Sequence, residues 1–291
     1  MSFSFYLDQA LTGRQILALT SYSTIKGNID IVVDKVVNPS SVQERSLFFC
    51  KGLVRLNPSD ALSTSICLAS SVAARHLPQV GLLVEVQDPI AEISNVLAAT
   101  DVNGIIFHTD FLDKESIFNL SKKISCEIDS AALIATNTRF GESSIVGPNA
   151  QIGVTGLGFV DMPNGEHIRV PHLGRVELGR QVVIGAGSVL VRGQFSDTVI
   201  MDGVRLGNLV NIGHNCFIGS NTVISSGSVI GGGCVLGKDV ELGVGVTVAP
   251  KVKIGDGAFV TAGSVVLRNV KPNVTVSGNP AVVVSRGNMS G

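Results

Sequence analysis

At 291 residues the chain is long enough for two domains, and its 33 glycines, absence of tryptophan and 15% charged content fit many short strands joined by tight corners. A formal charge of -1, with acidic and basic residues interspersed, excludes a basic face for nucleic acid. No run of 18 apolar residues occurs and Met1–Ala10 carries Asp8 without a basic segment, so neither a transmembrane span nor a signal peptide is expected, and the location is expected to be cytoplasmic.

From the N-terminus, apolar residues at helical spacing (Leu7, Leu11, Ile16, Leu17) predict a helix over Leu7–Leu19. Strand-like runs follow at Ile29–Val37, Ser46–Cys50, Ser65–Leu68 and Gly81–Val86. A second helix is predicted over Ile90–Ala99, started by Asp88 and Pro89. Residues 1–108 therefore read as a small α/β domain, joined by a linking helix at 109–123 that turns Phe111, Leu112, Ile117 and Leu120 inward.

Beyond it the sequence becomes periodic. Aliphatic residues recur every six positions from Ile200 through Leu206, Ile212, Ile218, Ile224, Ile230, Leu236, Leu242, Val248, Ile254 and Val260 to Val266. The fourth residue after each is small or β-branched, as at Val210, Cys216, Thr222, Ser228 and Cys234. One large and one small inward position per hexad is the requirement of a triangular prism with flat faces of short parallel strands. The same period begins at Ile128, Ile134, Phe140, Val146 and Ile152 and resumes at Leu178, Ile184 and Leu190. Two interruptions stand out: Gly153–Val176, and four extra residues around Arg192–Ser196. A solenoid tolerates insertions only as surface loops, so both are expected to form substrate walls.

With three hexads per coil, residues eighteen apart stack at the ~4.8 Å spacing of neighbouring strands. That stacking puts Cys216 under Cys234 inside the prism, which predicts a structural thiol pair rather than a redox site. Five cysteines without a C-x-x-C also argue against a disulfide framework or a zinc site. Of five histidines only His214 lies on the regular coils, at an outward corner where it can act as a general base or be a solvated turn residue. Gly232 occupies the same corner one coil later, where its N–H can meet an oxyanion or simply serve the turn. A catalytic metal would need about three converging histidines, and one corner histidine per chain makes no such set. Gly156, Leu157 and Gly158 do not follow a strand and open a helix, so they read as a turn rather than a dinucleotide loop.

The hexads resemble the hexapeptide acyltransferases, and two stretches narrow the likeness: Val154–Phe159 with Val170–Val176, and Asp197–Asn215. Both resemble UDP-3-O-acylglucosamine N-acyltransferase, as do Ser46–Phe49 and Gln87–Ile90. The resemblance implies a left-handed parallel β-helix over 124–276, mainly β, with a nucleotide-sugar-binding N-terminal domain and a tail at 277–291. It implies His214 as general base, a backbone amide mapping onto Gly232 as oxyanion donor, and a homotrimer with active sites between neighbouring prisms. Phe48 matches an aromatic that stacks on the nucleotide base, and Lys51, Phe159, His172, Asn208, Asn211 and Asn215 are further expected substrate contacts. The chain departs from the family at Val54, where a second aromatic is usual, at Lys51, where an asparagine is usual, and at Val191–Gly193 and Gly207, where an aspartate is usual. Lys251 falls near a second family histidine, and the ending through Gly278, Asn279, Pro280 and Ala281 resembles coenzyme A-dependent sugar acetyltransferases; these five are the expected donor contacts.

The expected function is therefore N-acylation of a nucleotide-linked amino sugar for surface polysaccharide, with acyl-CoA as co-substrate and neither a bound cofactor nor a covalent acyl-enzyme. The alternatives are the lipid A enzyme itself, drawing on acyl carrier protein, and a catalytically silent trimeric scaffold.

Overall fold

The computed structural model describes residues 4–37, 39, 42–51, 56, 60–100, 110–161 and 165–286. The chain divides into two compact units, Met1–His108 with Leu157–Leu173, and Thr109–Gly156 with Gly174–Gly291.

The first unit is built on a mixed sheet of β1 (Ser4–Thr12), β2 (Tyr22–Gly27), β3 (Val32–Val37), β4 (Ser46–Cys50), β5 (Ile66–Ala69) and β6 (Leu82–Val86). The spatial order is β1-β3-β4-β5-β6-β2, with the four central strands parallel and both edges antiparallel. Helices α1 (Gly13–Ala18), α2 (Asp60–Ser63), α3 (Ser71–Ala74) and α4 (Pro89–Thr100) complete it.

One expectation fails here, and one strand carries no sequence signal. The helix predicted over Leu7–Leu19 is strand β1 up to Thr12, paired with β3, and only Gly13–Ala18 is helical. A spacing of four is also a multiple of two, so Leu7 and Leu11 suit one face of a strand equally well. Thr12 starts the helix by accepting from the Gln15 N–H in a capping box. Strand β2 gave no signal because all six of its residues are exposed, which leaves no alternation to read. The insert also joins this unit: Phe159–Asp161 and His167–Arg169 form an antiparallel hairpin that packs on α4.

The second unit is a left-handed parallel β-helix with faces of nine, seven and six strands. From Arg205 to Val248 each strand pairs with the one eighteen residues later, Arg205 with Val223, Asn211 with Val229 and Phe217 with Val235. Across the two interruptions the pairing survives at wider register, Ile145 with Val183 and Val183 with Arg205, so both insertions leave the stack without breaking it. The large inward residues from Ile200 to Val266 form one continuous buried cluster, together with the small inward Val210, Cys216, Cys234 and Val246. Polar residues at the small inward position are satisfied in a common way. Thr222 donates to the Gly237 carbonyl at 2.8 Å and Ser228 to that of Gly243 at 3.1 Å. The thiols of Cys216 and Cys234 make the same contact with Gly231 and Ala249, at 3.2 and 3.1 Å. Cysteine here does the work of serine, and the stacked thiols are structural.

Helix α5 (Lys114–Lys123) is shorter than the predicted 109–123 because Asp113 caps its start, while Phe111, 40% exposed, bridges to Ala135 instead of turning inward. At the far end the expected boundary at Val276 falls inside a strand. Val274–Gly278 extends the nine-stranded face by pairing with Phe259–Val260, then turns through a cis Asn279–Pro280 bond into the antiparallel strand Ala281–Arg286.

Candidate active site

The corner carrying His214 is shaped by the coils around it. Ile212 points inward, Gly213 turns the chain, and Cys216 re-enters the core. A Cβ on Gly213 would stand 2.6 Å from the Gly232 nitrogen, so only glycine lets the next coil settle there. A Cβ on Gly232 would in turn stand 2.6 Å from His214 Nε2 and 2.8 Å from Cε1. The distal edge of the imidazole therefore lies against the Gly232 backbone, and any side chain at 232 would displace it.

The proximal nitrogen is held from the other side. His214 Nδ1 lies 2.8 Å from Asn215 Oδ1, which also accepts the Gln194 N–H at 3.1 Å. Asn215 Nδ2 donates to the Ser196 carbonyl at 3.1 Å and to Ser196 Oγ at 2.6 Å. These partners orient the amide with its oxygen toward the imidazole, so in the neutral ring Nδ1 carries the proton and Nε2 does not. Asn215 itself has φ 57°, and its N–H donates to Thr198 Oγ1 at 2.9 Å. Its amide is fully used, which corrects the expectation that it contacts substrate.

At several corners equivalent to Gly232 the N–H is capped by a side chain of the next coil. Arg180, Ala186 and Lys238 donate to Asp202, Asn208 and Asp256 at 2.8, 2.9 and 3.0 Å, and Asn208 donates to Ser226 at 3.1 Å. Above Gly232 stands Pro250, which offers no side-chain acceptor. The Gly232 N–H has no hydrogen-bond partner among the described residues and can donate to an outside oxygen. One coil further, Lys251 donates its N–H to the Gly232 carbonyl at 2.9 Å, so its exposed side chain shares this edge of the prism.

The four-residue insertion is part of the site. Its glycine, Gly193, is packed against the Ser196 carbonyl with no room for a side chain, and the carbonyls of Gly193 and Gln194 both accept the Gly174 N–H, at 3.0 and 2.9 Å. Buried Arg192 donates to the Gly174 carbonyl at 2.6 Å; burial, reinforced by nearby Arg175, lowers its pKa to about 10. Gln194, Ser196 and Thr198 were not singled out from sequence. The only signal was the break in period, which tells of a loop but not of its path.

Cys216 is two residues from His214 yet is no nucleophile. Its hydrogen bond with Cys234 and its burial push the thiol up, away from the reactive thiolate. Asn208 is exposed but accepts the Ala186 N–H, and Asn211 points outward on the face beside His214. The Gly278–Ala281 turn lies on another edge, where the Gly278 N–H donates to Ser264 at 3.1 Å. Within one chain, then, His214, Gly232, Asn215 and Lys251 come together and the 278–281 turn stands apart from them.

In the N-terminal unit two expected contacts are corrected. Phe48 is fully buried on β4 among Val37, Leu62, Cys67 and Ala69, so its ring has no face for a nucleotide base. A central parallel strand is covered on both sides, which buries residues that alternation would expose. His172 is 2% exposed and likewise has no surface to offer. Phe159 is exposed on the insert hairpin. Lys51 is exposed and pairs with Asp88 at 2.9 Å; burial pushes the Asp88 carboxyl up, but the hydrogen bonds from Lys51 and the Ile90 N–H outweigh it and hold the pKa below the usual range. Val54 and His108 lie outside the described residues. Among the described residues no three His, Cys, Asp or Glu side chains are grouped to hold a metal, and no helix is long and apolar enough to cross a membrane.

The coils are built of hexapeptide repeats, and residues 197–232 and 233–268 each match the bacterial transferase hexapeptide (six repeats). Its relatives are more particular. The chain is 39% identical over 146 residues to UDP-3-O-acylglucosamine N-acyltransferase 2 of Rhodopseudomonas palustris (strain BisB18), covering 50% of this chain and 39% of that one. It is 44% identical over 145 residues to the protein of the same name from Legionella pneumophila (strain Paris), covering 50% and 42%. The matches thus span less than half the length of these curated relatives. Among solved structures, UDP-N-acetylglucosamine acyltransferase from Campylobacter jejuni is similar at TM-score 0.46 and 20% identity, over 55% of this chain and 66% of that one. PerB from Caulobacter crescentus, in complex with CoA and GDP-perosamine, is similar at TM-score 0.27 and 22% identity, over 60% and 67%.

Proposed function

We propose that this chain moves an acyl group from a phosphopantetheine thioester to the amine of a nucleotide-linked amino sugar. The observation that carries the reading is the His214 corner, with Nδ1 held by Asn215 and the Nε2 edge of the ring beside an uncapped backbone N–H at Gly232. As the amine attacks the thioester carbonyl, Nε2 takes its proton and the Gly232 N–H binds the oxyanion. Collapse of the tetrahedral intermediate breaks the C–S bond, and the imidazolium returns the proton to the thiolate. An amide and a free thiol result, with no covalent acyl-enzyme. Lys251, on the same edge, suits an anionic group of the donor.

The relatives' names favour UDP-3-O-acylglucosamine as acceptor and so the lipid A alternative, whose expected donor is acyl carrier protein, over the short acyl-CoA reading. The latter rests on the Gly278–Ala281 turn, which lies apart from His214 within one chain. A homotrimer would supply the second wall of a groove at this corner. The test is to incubate the protein with UDP-3-O-acylglucosamine and a hydroxyacyl carrier protein, and separately with UDP- and dTDP-amino sugars and CoA thioesters of graded length, and to detect the amide. Turnover with the first pair is expected. Turnover only with short CoA thioesters would reverse the order of the two readings, and none with any pair would favour a silent scaffold.

A further inference from the structure

The hydrogen-bond chain behind His214 begins outside the regular repeat. Corner residues with positive φ recur along the coils, and at Asn221 (φ 59°) the amide reaches forward to Asp239 at 3.2 Å, one coil later. Asn215 reaches backward instead, into the inserted loop, where Gln194 and Ser196 meet both ends of its amide. Turning that amide over would set Nδ2 against the Gln194 N–H and Oδ1 against the Ser196 carbonyl, two repulsive contacts in place of two attractive ones. The geometry points to Ser196, carried by the 192–196 insertion, as a positioning residue: through the Asn215 amide it holds His214 in the Nδ1–H tautomer, leaving Nε2 basic beside Gly232.

The inference rests on the general-base role given to His214, and it explains why the repeat is broken at this place. An insertion of four residues beside a corner histidine supplies the only hydrogen bonds among the described residues that lock the Asn215 side chain apart from its contact with His214. Asn215 acts on the base and not on the substrate, since its two amide hydrogens and its oxygen are already engaged.

The test is histidine ¹⁵N NMR of the full chain, with the His214 signal assigned by its loss in His214→Ala, beside steady-state kinetics. Wild-type His214 is expected to be uniformly Nδ1-protonated when neutral. Ser196→Ala is expected to mix the two tautomers and to lower kcat about 5- to 10-fold with KM changed less than about twofold, the worth of one hydrogen bond. Asn215→Gly keeps the positive φ, which Gly233 adopts one coil later at 72°, and is expected to lower kcat further. Ser196→Thr, which restores the hydroxyl, should recover both readouts. An unmixed Nδ1–H tautomer in Ser196→Ala would overturn the proposal, as would one in Asn215→Gly or a loss carried by KM alone. The tautomer is read without substrate, so its result stands apart from whether His214→Ala is inactive, which tests the general-base role itself.

Discussion

The coiled unit and the N-terminal unit were read with the same rules and yielded very differently. In the coils every residue meets the same environment eighteen positions later, so an inward position identified once is identified throughout, and residues such as Ile212, Val246 and Val260 are all buried. In the N-terminal sheet each strand has its own neighbours. The difference teaches that repetition, rather than hydrophobicity, made the larger unit legible.

The contrast can be broken first by stability. Ile230 is 1% exposed and its neighbours in the stack are pinned by coils on either side, so Ile230→Ala should cost about 2–5 kcal/mol, read as a lower denaturation midpoint. Ile25 on the exposed strand β2 is 39% exposed, and Ile25→Ser should stay within about 0.5 kcal/mol. Equal losses would mean that the two units are not distinguished by their packing.

A second, smaller effect sharpens the corner. Gly232→Ala places a methyl 2.6 Å from His214 Nε2 and displaces the ring, and kcat is expected to fall on the order of 10²-fold while the circular dichroism of the coils is unchanged. Smaller again is the pH response at Lys51 and Asp88. The Asp88 carboxyl is held below its usual pKa in the folded state, so the pair adds stability above the unfolded carboxylate pKa and loses it as pH falls through the folded value. Lys51→Met should lower stability slightly at neutral pH and flatten the acid limb by the same small amount in a denaturation series, small because the lysine is mostly exposed. Smallest is Cys216→Ala, expected to leave kcat within about twofold because the thiol faces the core; a large loss in kcat would contradict its structural role.

How much of this was readable depended on what each residue answers to. The hexads, the wider register at both insertions and the stacking of Gly232 over His214 all follow from period alone. Strand β1 was read as a helix because the spacing of Leu7 and Leu11 fits both structures, and only pairing with β3 decides between them. Phe48 was placed at a nucleotide because the strand resembled a binding segment, whereas the second covered face of a central parallel strand cannot be seen from its own residues. Asn215 is an expected substrate contact because it closes the Asp197–Asn215 stretch that carries the family resemblance. Its real partners, Gln194 and Ser196, sit in an irregular loop, and no periodic argument reaches a loop.

The central claim is that the corner base drives acyl transfer, and the most direct measurement is kcat of His214→Ala with the pair of substrates that turns over. The account predicts a fall of roughly 10²–10⁴-fold with the oligomer and the fold intact. Activity within a few fold of wild type would contradict it.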